Sequence, residues 1–200
     1  MRLTKYTGTI DLSINFECDQ NTLLFIRKYF HINTIGIPND KIKNLNRDFT
    51  IMKVKNSDNQ TMNEYRDYLY LLYENLDNKF DQKRSGYDIL VIGKPLNYKP
   101  ILQKLDGRNI GFEFLVSNLK YLNSSEVGKW FSNVKYFYHL CKKYKHQLIL
   151  SSGAKSIYEL ISPRIIDSIL KKMDISSAEY WSSLRIWLEN KNRGITHDPD

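Results

Sequence analysis

Apolar and polar residues alternate from Thr9 to Phe16, with Ile10, Leu12, Ile14 and Phe16 on one side and Asp11, Ser13 and Asn15 on the other. A period of two marks a half-buried strand. From Asp19 to Phe30 the spacing changes to that of a helix, its faces set by Leu23, Leu24, Ile26, Arg27 and Phe30. Thr34 to Ile37 is then a short buried strand ended by Pro38, Asn39 or Asp40 caps a brief helix, and Phe49 to Val54 alternates as a third strand. Residues 55–62 form a polar break without periodicity, a site for insertion or mobility. Glu64 to Phe80 carries Tyr65, Leu69, Leu72, Tyr73 and Leu76 on one stripe, which predicts a long helix. Tyr87 to Gly93 is continuously apolar, as in strands covered on both faces.

The second half repeats the alternation. Pro100 to Leu105 predicts a short helix, Asp106-Gly107 a turn, and Ile110 to Leu115 a strand. Asn123 or Ser124 caps a helix reaching Lys145, with Val127, Trp130, Phe131, Val134, Phe137, Tyr138 and Cys141 as its inward stripe. His146 to Ser151 is a strand around Leu148, Ile149 and Leu150, ended by the small residues Ser151, Ser152, Gly153 and Ala154. Ser162 precedes Pro163, the pattern of an N-cap followed by proline at the first helical position. Ser176 or Ser177 starts the last helix, which bears Trp181, Leu184, Trp187 and Leu188. Residues 1–190 read as one domain and 191–200 as a frayed polar tail.

Six alternating strand and helix units with short connections predict an α/β fold with right-handed crossovers. An open sheet that binds nucleotides wants a glycine-rich turn after its first strand, and Glu17 to Asn21 has none, which favours a barrel. The strand ends would then bring Asn15, Pro38, Gly93, Lys94, Ser151 and Ser152 to one rim. Two further strands expected of a standard barrel are short, near Tyr158 to Ile161, or not there.

Thirty Lys and Arg against twenty-two Asp and Glu give a formal charge of +8, the footprint of a chain that meets phosphates. Lys142, Lys143 and Lys145 close one helix, Lys155 follows a strand, Arg164 opens a helix that Lys171 and Lys172 close, and Arg185, Lys191 and Arg193 line the end of the chain. Lysine at a helix C-terminus is ordinary dipole compensation, which accounts equally well for Lys142 to Lys145 and for Lys171 and Lys172. Arg164 is different, because a cation in the first turn opposes the macrodipole by a few tenths of a kcal/mol, about 0.3 or more, and so points to an external anion. Cys18 and Cys141 stand far apart, without metal-ligand or disulfide spacing, and are expected reduced and buried. The first residues lack the apolar core of a signal peptide and no run is long enough to cross a bilayer, so a cytoplasmic location without membrane partner is expected.

Enzymatic readings find little material. His31, His139, His146 and His197 are scattered, whereas di-metal hydrolysis needs clustered ligands. Ser151 and Ser152 lack the flanking glycines of a nucleophile elbow, and their small size suits close approach of a neighbouring backbone. Glu113, at a strand end, is expected to pair with an interior arginine, Arg164 being the candidate.

Lys143-Tyr144-Lys145, Leu150-Ser151-Ser152-Gly153-Ala154 and Ser162-Pro163-Arg164 with its apolar helix to Met173, together with Ile110-Gly111-Phe112-Glu113-Phe114, resemble the archaeal ribonuclease P protein component 3 family, relatives of the eukaryotic 30 kDa subunit, over roughly residues 87–190. The resemblance implies an irregular TIM-like barrel of parallel strands surrounded by helices, related to the polymerase-and-histidinol-phosphatase barrels. It implies a subunit without a catalytic site, which pairs with ribonuclease P protein component 2 and other ribonuclease P proteins to brace the ribonuclease P RNA during 5′ leader removal from precursor tRNA. Mg²⁺ would serve the RNA, with no cofactor or metal on the protein. Lys143, Lys145, Lys155, Arg164, Lys172, Arg185, Lys191 and Arg193 would face RNA, Trp181 or Trp187 the protein partner, and Glu113, Ser151, Ser152, Gly153 and Pro163 would be structural. The competing class is a metal-dependent phosphoesterase barrel acting alone.

Overall fold

The computed structural model describes residues 8–41, 50–55, 69–76, 86–93, 99–105 and 107–195. Among them seven parallel strands follow one another in chain order: β1 Thr9–Asp11, β2 Ile32–Pro38, β3 Thr50–Lys55, β4 Tyr70–Leu76, β5 Ile89–Ile92, β6 Gly111–Leu115 and β7 Gln147–Ser151. Helices α1 Gln20–Phe25, α2 Lys99–Lys104, α3 Ser124–Lys143, α4 Pro163–Lys172 and α5 Ser177–Ile195 surround them. The result is a nearly closed α/β barrel of TIM-like type.

Closure follows from one contact. Lys53 of β3 and Glu113 of β6 are three strand spacings apart along the sheet, roughly 14 Å if it were flat. Their Nζ and Oε2 nevertheless meet at 2.7 Å, so the sheet curls and the pair crosses its lumen. On the outer side of β6, Phe112 and Phe114 each stack at 5.2 Å on Phe137 of α3. Alternation along the strand thus sends Glu113 inward and the phenylalanines outward. Between β1 and β7 the ladder thins to a single bridge of Ile14 with Ala154, where the Asn15 N–H donates to the Ala154 carbonyl at 2.7 Å. This seam is where an open sheet would have its edges.

Helix boundaries follow local chemistry. Asp19 caps α1 by accepting from the Thr22 N–H at 2.8 Å, and the helix widens into a π turn over Ile26–Phe30. Asn123 and Glu126 form a reciprocal capping box at the start of α3. That helix ends with Lys145 in the left-handed region (φ 56°), while the His146 N–H returns to the Cys141 carbonyl at 2.8 Å. Asp174 (φ 57°) plays the same part after α4. Both satisfy terminal carbonyls without glycine. At α4, Ser162 occupies the N-cap position before Pro163, but its hydroxyl makes no capping bond.

Three sequence-based expectations change. The helix expected over Glu64 to Phe80 is a strand where it is described, β4, hydrogen-bonded between β3 and β5; residues 64–68 and 77–80 lie outside the described residues. The stripe at Leu69, Leu72, Tyr73 and Leu76 has helical spacing and mixes odd with even positions, so no period of two marks the strand; the ladders to β3 and β5 on either side decide for it. Residues 157–159, proposed near a missing strand, form a single 3-10 turn. The polar side of the first strand is not solvated: Asp11 and Ser13 are buried as fully as Ile10 and Leu12. Residues 56–62, Lys94, Asp106 and residues 196–200 lie outside the described residues, and α5 continues to Ile195, into the stretch read as tail.

One large apolar cluster fills the barrel and its coat of α2 to α5, and a smaller one, with Leu23, Ile26, Ile35 and Ile37, lies beneath α1. Cys18 and Cys141 are buried free thiols, and burial pushes Cys18 up to about 11, so neither is reactive near neutral pH. No helix among the described residues is long and apolar enough to cross a membrane.

Candidate functional site

The lumen holds a buried polar cluster. Glu113 is 0% and Lys53 3% exposed; the Ser151 hydroxyl donates to Glu113 Oε1 at 2.6 Å, and the Lys53 ammonium lies 4.8 Å from the centre of the Tyr73 ring. Each carboxylate oxygen therefore has its own donor, and the charge is compensated in place. Glu113 pairs with Lys53 rather than with an arginine: Arg164 sits exposed in the first turn of α4, outside the barrel, where no lumen group can reach it. Lys53, Glu113 and Ser151 are buried while Tyr73 is half-buried, and the Ser151 hydroxyl is engaged as a donor to Glu113.

The seam holds a second polar group. Asp11 Oδ1 accepts from the backbone N–H groups of Ser13 and Ser152, each at 3.1 Å, and the Ser152 hydroxyl donates to the Ser13 carbonyl. The Leu150 N–H, on the open edge of β7, donates to the Tyr180 hydroxyl of α5 at 2.8 Å. These contacts replace the missing ladder, as unpaired backbone groups must be satisfied when buried. Gly153 completes the turn in the left-handed region (φ 67°), and a Cβ there would lie 2.6 Å from the Ser117 hydroxyl of the neighbouring loop. Small residues at 151–154 thus serve close approach of two loops, as their size predicts.

Burial raises the Asp11 carboxyl from 3.8 to about 6, against the opposing hydrogen bonds from Ser152 and Ser13. A folded-state acid with a raised value costs stability when ionised. That cost is absent below about pH 4, grows as pH rises to 6 and is constant above it. Asp11→Asn keeps an acceptor for both N–H groups and removes the charge, so the variant is expected to gain about 2–3 kcal/mol over the parent at pH 7.5 and nothing at pH 3.5. Urea midpoints of the two proteins across that range give the difference directly; a pH-independent difference excludes a titrating Asp11.

The candidate cations divide between the two ends of the barrel. Lys143 and Lys145 precede β7 at the N-terminal mouth, while Lys155 follows it at the C-terminal mouth, and all three are exposed. Arg164 opens α4, nine positions after Lys155 in the chain, and is exposed. Lys172 is exposed at the far end of α4, near the place where Asp174 pairs with Lys135 at 2.6 Å. Arg185 is half-buried on α5. Lys191 is committed to Asp88 at 2.8 Å and lies over the Trp187 ring, so it reaches a phosphate only by leaving that pair. Arg193 falls in the last turns of α5 with its side chain outside the described ones. Trp181 donates its indole N–H to Asp167, and Trp187 is buried against the barrel. Among the described residues no group of three or more His, Cys, Asp and Glu side chains stands close enough together to hold a metal ion.

No family model and no curated protein matches the sequence. A chain in the cryo-electron microscopy structure of archaeal ribonuclease P with mature tRNA superposes with a TM-score of 0.69, covering 96% of this chain and 95% of that one at 11% identity. At such identity the likeness is one of fold, carried from end to end rather than by a local motif.

Sequence reasoning missed Asp11, Lys53, Tyr73 and Tyr180. A signal existed for Lys53, which shares a period-two face with Ile51; Asp11 gave none, because it alternates onto the polar side with Ser13 and Asn15. A charge on an apolar face in a barrel strand asks for a partner across the lumen or seam.

Proposed function

We propose that this chain is a protein subunit of a ribonuclease P, the ribonucleoprotein that removes the 5′ leader from precursor tRNA. The observation that carries the reading is the end-to-end fold likeness to a chain of archaeal ribonuclease P with mature tRNA. The residues around Leu150-Ser151-Ser152-Gly153-Ala154 and Ser162-Pro163-Arg164 that resemble the protein component 3 family, and a formal charge of +8, point the same way. In this reading the chain works in the cytoplasm, binds the ribonuclease P RNA through its cationic ends, pairs with protein component 2 and cuts nothing itself. Mg²⁺ belongs to the RNA.

Reconstitution tests it. Precursor tRNA, the RNA component and protein component 2 are combined with and without this chain, and leader removal is expected to speed up when the chain is added. No stimulation counts against the subunit reading, and Mn²⁺-dependent turnover of a generic phosphodiester by the chain alone, lost on chelation, replaces it with a phosphoesterase. If about six cations neutralise phosphates, RNA affinity falls with salt at a logarithmic slope on the order of −5.

A further inference from the structure

The C-terminal mouth carries two tyrosines that the core does not use. Tyr158, on the turn after β7, is 95% exposed, and Tyr121, at the end of the turn after β6, is 70% exposed. Their neighbours lock the two turns together: Lys120 pairs with Glu159 at 2.7 Å, and Glu159 also accepts the Lys155 N–H at 2.7 Å. The Lys120 ammonium lies 5.0 Å from the centre of the Tyr121 ring. The rings therefore flank a fixed ion pair. Holding an aromatic ring in water costs apolar hydration that burial would recover, and nothing in the turn itself requires tyrosine at 158.

Charge decides what fits. Glu159 pairs with Lys120 and also feels the charge of Lys155, while neither the Lys155 ammonium nor the Arg164 guanidinium makes a salt bridge among the described residues, and both side chains are exposed. Arg164 moreover opposes its own helix dipole until an anion arrives. Exposed rings beside exposed cations suit an unpaired nucleotide strand, whose bases offer flat faces and whose backbone offers phosphates. A duplex hides those faces in its own stack.

We propose that the mouth formed by the β6 and β7 turns binds unpaired RNA nucleotides, with Tyr121 and Tyr158 as stacking surfaces and Lys155 and Arg164 as phosphate contacts. The site deepens the subunit reading and rests on it for the identity of the RNA.

The test measures binding of a fluorescein-labelled oligouridine, and of a duplex of equal length, to the full chain at low salt. Tyr121→Ala/Tyr158→Ala is expected to weaken oligouridine binding by about 25-fold, about 5-fold for each lost stack, and to leave duplex binding within about 2-fold. Tyr121→Phe/Tyr158→Phe keeps both ring faces and binds as the parent does. Lys155→Ala/Arg164→Ala lowers the single-strand salt slope by about 1.4. Unchanged oligouridine affinity in the alanine variant, equal weakening by the phenylalanine pair, or no binding by the parent chain overturns the site; the first is what a protein-docking surface would give. Leader-removal assays with the parent chain are read separately. Stimulation together with tyrosine-independent oligouridine binding sinks the stacking site and leaves the subunit, and the converse pattern sinks the subunit reading alone.

Discussion

Lys53→Met lowers the stability of the folded chain by about 3–5 kcal/mol, because it leaves Glu113 charged in a lumen that offers only the Ser151 hydroxyl in return. The loss is that of an uncompensated buried charge, and it exceeds what the pair contributes. Removing both charges together is therefore expected to be mild. Lys53→Met/Glu113→Leu should recover most of the loss, with a residual of about 1–3 kcal/mol from the Ser151 hydroxyl left without its acceptor. Adding Ser151→Ala should recover much of that residual. Urea unfolding of the single, double and triple variants at neutral pH checks the series. A cost below about 1 kcal/mol for Lys53→Met would mean that water reaches the pair, contrary to a closed lumen.

The second large effect lies at the opposite mouth. The contacts of α5 run from the free edge of β7, where Tyr180 reaches Leu150 near the strand's end, to the starts of two strands: the Trp187 indole N–H donates to the Asn109 carbonyl before β6 at 2.9 Å, and Lys191 pairs with Asp88 before β5. Trp187 is 3% exposed and stands where a Cβ on Gly111 would point, 3.0 Å from its ring. The helix thus stoppers the N-terminal mouth with an indole. Trp187→Ala is expected to cost about 3–5 kcal/mol, the usual range for emptying a buried aromatic site. Ile186→Ala, one residue away and 55% exposed, should stay within about 0.5 kcal/mol.

Gly111 supplies an independent check on the same space. Gly111→Ala in the parent forces its methyl against Ile149, 2.5 Å away, and the indole, an overpacking worth about 1–3 kcal/mol. In a Trp187→Ala background part of that clash disappears, so the two substitutions should cost less together than their sum. Strict additivity would show that Gly111 and Trp187 do not share a wall. The exposed tyrosines and Lys155 stand at the other, C-terminal mouth.

The cationic candidates show why a surface is harder to read than a strand. Lys143, Lys145, Lys155 and Arg164 are near neighbours in the sequence, and β7 runs between them, so the first two face the N-terminal mouth and the others the C-terminal one. Lys191 resembles them in sequence yet is held by Asp88, a partner more than a hundred positions away. Nothing in a run of lysines distinguishes a free ammonium from a paired one.

Local chemistry legible in the residues fixed most of the elements: the continuous apolar runs of β5 and β7, the Asn123 and Glu126 box, the Pro163 start of α4, and the small turn at Ser151 to Ala154 are short-range facts, set by neighbours within a few positions. The parallel α/β class follows from their order. Tertiary structure alone decided that Tyr70 to Leu76 is a strand, that Lys53 answers Glu113 through the lumen, and that α5 closes one end while Asp11 and Tyr180 fasten the seam. Those outcomes depend on partners brought together by curling the sheet, and a side chain's partner across a barrel leaves no period in its own strand.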